Sequence, residues 1–107
     1  MNDPIEIEAA RKLGERMMRD GGRDSAERLR FAFELATGRS PTAQERKIMA
    51  SLLDARRAFY AGQPEMAKQF LSVGASGIAD NVAATELAAY ANVASLILNL
   101  DETITRN

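Results

Sequence analysis

The stretch VAATELAAYANVASLILNL, residues 82–100, decides the fold. Its one charged residue is Glu86. Leu87, Tyr90, Ala91, Ala94, Ile97 and Leu98 recur at three-and-four spacing, and the other side carries only Ser, Thr and Asn among its polar groups. A helix this apolar around its circumference must be enclosed by neighbours. The spacing therefore predicts a buried helix over 83–100 at the centre of a small all-α bundle, running into the polar tail DETITRN. The run approaches the ~20 residues that cross a bilayer, but Thr85, Glu86, Asn92, Asn99 and its many Ala oppose insertion, so no membrane span is expected.

Four more helices follow from start and stop signals. Asp3, Pro4 and Glu6 form an N-cap, a first-turn proline and a capping partner, and Gly21-Gly22 supplies the stop, which predicts a helix over 4–20. Ile7, Ala10, Leu13, Gly14, Met17 and Met18 give it one apolar side. Gly14 costs about 1 kcal/mol relative to Ala inside a helix, which a close helix contact would explain. Asp24 with Glu27 caps a second helix over 24–37, whose inward stripe is Leu29, Ala32, Phe33 and Ala36 before Gly38. Thr42 with Glu45 is the clearest capping box and opens a third helix over 43–60. Met49, Leu52, Leu53, Arg56, Phe59 and Tyr60 line its inner face, Arg46, Lys47, Asp54 and Arg57 its outer one, and Ala61-Gly62 its end. Pro64 starts a fourth helix over 64–72, with Met66, Ala67, Phe70 and Leu71 turned inward and Gly74 closing it.

A chain of 107 residues with this pattern reads as one domain, able to bury roughly two thirds of its unfolded surface without staples. Hydrophobic residues at 46% and charged residues at 27% are the proportions of a soluble globular domain, not of a disordered segment. The chain has no Cys, His or Trp. Thiol nucleophiles, imidazole bases, disulfides and the usual zinc and haem ligand sets are therefore out of reach, and no cofactor is expected. The opening residues lack the pattern of a secretory signal, so the chain reads either as cytosolic or as a fragment of a larger protein.

Positive charge gathers at Arg11, Lys12, Arg16, Arg19 and Arg23, but Glu8, Glu15 and Asp20 interleave with it at helical spacing. With a formal net charge of −1 the chain lacks a basic footprint, and nucleic acid is not an expected partner. Asp101 and Glu102, with Asn99 two residues earlier, have oxygens suited to a hard cation, yet no glycine-turned acidic loop surrounds them. Asn99 reads as a helix terminator or a buried hydrogen-bonding group. Arg39 stands before the third helix, where an anion would be favoured, and reads more simply as the partner of a local carboxylate or a helix carbonyl. Tyr60, Tyr90 and Lys68 form no pattern that brings them together, and Met17, Met18, Met49 and Met66 read as adaptable packing.

Three segments in order, NDPIEIEAARKLGERM, ERLRFAFELATGRSPTAQE and ELAAYANVASLILNLDETITRN, carry a family resemblance. The chain resembles the C-terminal helical domain, of unknown function, of large secreted planctomycete-type proteins in which a cytochrome-c-like region lies upstream. The shared pieces are Asn2-Asp3-Pro4, Gly38-Arg39-Ser40-Pro41-Thr42, Leu98-Asn99-Leu100-Asp101-Glu102 and Thr105-Arg106. The chain departs from the pattern in ending at Asn107, where an acidic residue is common in the family. The resemblance implies a fragment of an exported parent and a non-catalytic module, and it attaches no catalytic role to Arg39, Asn99, Asp101, Glu102 or Arg106.

The leading expectation is thus a structural or interaction domain that packs on upstream domains, on a protein partner or on a second copy, through the first and fifth helices and the apolar Ile5. One alternative is a hydrolytic or polysaccharide-acting site built from Asp101, Glu102 and Tyr90, which would need converging carboxylates with one pKa raised. A second is an ion- or small-ligand-binding module.

Overall fold

The computed structural model describes residues 4–72 and 81–100. They form five helices and, among the described residues, no strand: α1 Pro4–Asp20, α2 Ser25–Thr37, α3 Ala43–Gly62, α4 Pro64–Ser72 and α5 Asn81–Leu98. The architecture is the expected all-α bundle. No helix among the described residues is long and apolar enough to cross a membrane.

Local chemistry sets most of the boundaries. The Asp24 side chain accepts the Glu27 N–H at 2.8 Å while Glu27 accepts the Asp24 N–H, and the same reciprocal box joins Thr42 and Glu45. Each box satisfies backbone donors that the first helical turn leaves without partners. Gly38 adopts the left-handed conformation, φ 80°, and returns its N–H to the Glu34 carbonyl at 2.8 Å, so α2 stops there. The cap predicted at Asp3, the stop predicted at Gly74 and residues 73–80 as a whole lie outside the described residues, as does the Ile5 side chain.

Two boundaries differ from expectation. Helix α3 runs through Gly62 instead of ending at residue 60. Pro64 sets this stop, because a proline disfavours helical backbone at the residue before it; Gln63 sits at φ −140°, ψ 61° and donates its N–H to the Tyr60 carbonyl. Helix α5 begins and ends two residues earlier than the 83–100 reading, and Asn99 and Leu100 continue as a tight turn onto Ser95, Leu96 and Ile97 carbonyls.

Helix α5 is the centre of the bundle, packed most extensively on α1 and then on α3, α4 and α2. Ala84, Leu87, Ala88, Ala89, Tyr90, Ala91, Val93, Ala94 and Ile97 are all buried. Alanines let neighbouring backbones approach, and Gly14 of α1 does the same from the other side: a Cβ there would stand 3.1 Å from the Ala91 nitrogen. The core continues through Ala10, Leu13 and Met17 of α1, Leu29, Ala32 and Phe33 of α2, Met49, Leu53 and Tyr60 of α3, and Ala67 and Leu71 of α4. Phe59 and Met66 were expected inside but are 40% and 46% exposed. Each sits at the edge of its apolar stripe, where periodicity indicates direction but not how far the neighbouring helix reaches.

Candidate interaction site

Two features of the bundle carry more chemistry than packing requires. The first lies at the α2–α3 connection. Arg39 follows directly on the Gly38 turn and lays its guanidinium over the Phe33 ring, 4.9 Å from the centroid. From there its Nη1 and Nη2 donate to the two Glu45 carboxylate oxygens, each at 2.9 Å. The Arg39 guanidinium, aided by the Thr42 N–H, holds the Glu45 carboxyl down at about 2. Arg39 is therefore engaged with a local carboxylate, as its position in sequence indicates, and not turned toward an external phosphate.

Beyond Glu45 opens a groove between α3 and the end of α5. Phe33, Ile48, Met49, Leu96, Ile97 and Leu100 line it together with Glu45, and it encloses about 190 Å³. Ile48 is 50% exposed and Leu96 38%. Glu45 is the one ionisable lining residue and its charge is balanced by Arg39, so the groove presents apolar surface rather than net charge.

The second feature is a polar cluster joining α2, α3 and α5. Arg57 forms a side-on pair with Glu86, Nε to Oε2 at 3.1 Å and Nη2 to Oε1 at 3.1 Å. The same Nη2 donates to the Tyr90 hydroxyl at 3.0 Å, and Arg28 Nη1 donates to that hydroxyl at 3.4 Å. Both guanidiniums also lie near the Tyr90 ring, 5.5 Å and 5.4 Å from its centroid. Burial presses Arg57 toward neutrality, but the Glu86 carboxylate, with Tyr90 and Asp54, outweighs it and raises the Arg57 pKa above its ordinary value. Arg57 thus belongs to an interhelical contact and not to the solvent face assigned to it from sequence. The signal that could have found it is the isolated Glu86 in an otherwise uncharged helix, one turn before Tyr90.

Asn99 is exposed, and its Nδ2 donates to the Ser95 carbonyl at 2.8 Å, which makes it a terminator of α5 and not a buried group. Asp101, Glu102 and Arg106 lie outside the described residues. Tyr90 is fully buried with its hydroxyl facing two arginines, whereas the Tyr60 hydroxyl accepts from Asn92 Nδ2 at 2.8 Å. Among the described residues no three acidic side chains gather in a way that could hold a metal ion. The Glu45 shift is downward, the reverse of what a general acid at neutral pH requires.

Comparison with family models, with characterised proteins and with solved structures gives no match to this chain.

Proposed function

We propose that this chain is a non-catalytic helical interaction module that docks on another protein region through the groove between α3 and α5. The observation behind this reading is the groove itself, where Ile48 and Leu96 remain 50% and 38% exposed beside a Glu45 whose charge Arg39 balances. Large apolar side chains grouped around a concave surface with no net charge favour a partner segment that presents apolar residues of its own. The proposed partner is the upstream part of an exported parent protein, a choice that rests on the sequence resemblance alone.

Light scattering coupled to size exclusion tests the reading, on the chain alone over a concentration series and after mixing with the upstream region. Complex formation that Ile48→Glu abolishes, while the helical spectrum is kept, supports it. Self-association lost in the same variant would replace the upstream region by a second copy as the occupant. A monomer at every concentration that binds no upstream region overturns it.

A further inference from the structure

We propose that the cleft between the N-terminal halves of α2 and α3 binds an acidic segment of a partner protein. The cleft shares no lining residue with the groove between α3 and α5, so this inference stands apart from the docking proposed there.

Ala26 and Leu29 of α2, with Ala43, Arg46, Lys47 and Ala50 of α3, line a cavity of about 360 Å³. A second cavity of about 210 Å³, where Arg30 and Glu27 join the lining, adjoins it, and Ala26 and Arg46 are common to both. The α3 residues recur at three-and-four spacing, so one side of that helix sets its two cations between alanines. Alanine side chains stop at Cβ and leave the space between the helices open above the buried Leu29.

Charge decides the occupant. Arg46 donates from Nη1 to the Pro41 carbonyl at 3.2 Å and has no carboxylate partner among the described residues, and Lys47 has no polar partner among them. Arg30 approaches Glu34 only to 3.8 Å, and the same carboxylate accepts the Ser40 hydroxyl at 2.9 Å. Glu45, next to Arg46 in sequence, is held by Arg39. The acid on the lining, Glu27, is turned back onto the Arg23 and Asp24 N–H groups at the start of α2. Arg30, Arg46 and Lys47 are all exposed, and they make a cationic surface on a chain whose formal net charge is −1.

An acidic protein segment matches both parts of this surface. Its carboxylates meet the three cations, while an apolar side chain between them covers the alanines and Leu29. A nucleic-acid backbone would match the charge and leave that apolar floor bare. Arg46 is already tethered to Pro41, so less of its side-chain entropy remains to be lost on binding.

The test is to follow the backbone amide resonances of the ¹⁵N-labelled chain during titration with a short synthetic peptide that alternates glutamate and leucine, with the same peptide carrying glutamine for glutamate, and with a thymidine oligonucleotide. The expected result is a saturable shift at Ala26, Ala43, Arg46, Lys47 and Ala50 with the acidic peptide, weakened by added sodium chloride. The glutamine peptide should bind about tenfold more weakly or less. Lys47→Glu, at a side chain that makes no polar contact in the fold, should weaken the acidic peptide about tenfold. Ala50→Leu, which fills the cleft and keeps its charge, should weaken it as well, whereas Leu96→Ala in the α3–α5 groove should not. A shift that does not saturate, equal affinity for the two peptides, unchanged binding in a folded Lys47→Glu variant, or tighter binding of the oligonucleotide overturns the proposal.

Discussion

Gly14 of α1 faces the backbone of Ala91 in α5 so closely that an added Cβ would lie 3.1 Å from the Ala91 nitrogen, 3.2 Å from its Cα and 3.4 Å from its Cβ. Helix propensity favours alanine at position 14 by about 1 kcal/mol. The opposing atoms, however, are the backbone of the most enclosed helix in the bundle, and overpacking costs typically 1–3 kcal/mol. Gly14→Ala should therefore lower stability, by up to about 2 kcal/mol in urea unfolding, and Gly14→Val should lower it further. A gain of about 1 kcal/mol in the alanine variant would instead mean that α1 can move outward at no cost.

Thr42→Ala removes the acceptor of the Glu45 N–H at the start of α3. The expected loss is about 1 kcal/mol by chemical denaturation, as for other N-caps. Thr42→Ser keeps the oxygen and should recover most of it, whereas an unchanged alanine variant would show that Glu45 and Arg39 hold the turn unaided.

Glu45 predicts an acid limb of stability. Its folded carboxyl lies at about 2 against an ordinary 4.5, because Arg39 and the Thr42 N–H hold the ionised form. A group with a depressed folded pKa contributes stability above its unfolded value and loses it as pH falls through the folded one. The melting temperature should therefore decline as pH drops from about 4.5 toward 2. Glu45→Gln should be less stable at neutral pH and show a shallower decline over that window. Parallel curves for the two proteins would exclude Glu45 as the source.

The polar cluster should respond unequally to its two acceptors. Tyr90 is fully buried and accepts from two guanidiniums, while Glu86 and Arg57 are about one third exposed. Tyr90→Phe should cost about 1–2 kcal/mol, and Glu86→Gln, screened by solvent, at most about 1 kcal/mol. Equilibrium unfolding of both variants checks the order, and a reversed order would place the main energy of the cluster in the ion pair.

Much of this bundle was legible in the chain because the deciding interactions are short-range. Asp24 and Glu27, or Thr42 and Glu45, are three residues apart, so the capping boxes of α2 and α3 can be written down from spacing. The sequence proximity of Arg39 to Glu45, six residues on, likewise made a local carboxylate its natural partner. The polar cluster was not legible. Arg57 and Glu86 are 29 residues apart and Arg28 and Tyr90 are 62 apart, and helical periodicity read one helix at a time left Arg57 on a solvent face.

By itself, the sequence determined that the protein is all-helical, where each described helix begins to within about two residues, and that the least charged helix is the buried one. These follow from hydrogen bonds and side-chain spacing within a few residues of each other, which any fold of this chain would have to respect. Only the tertiary structure decided that Phe59 and Met66 stay at the surface, that Ile48 and Leu96 border an open groove, and that Arg28 and Arg57 meet at Tyr90. The reason is geometric: a helix carries its apolar direction in its own sequence, but the width of the face that becomes covered depends on the position and angle of the helix packed against it.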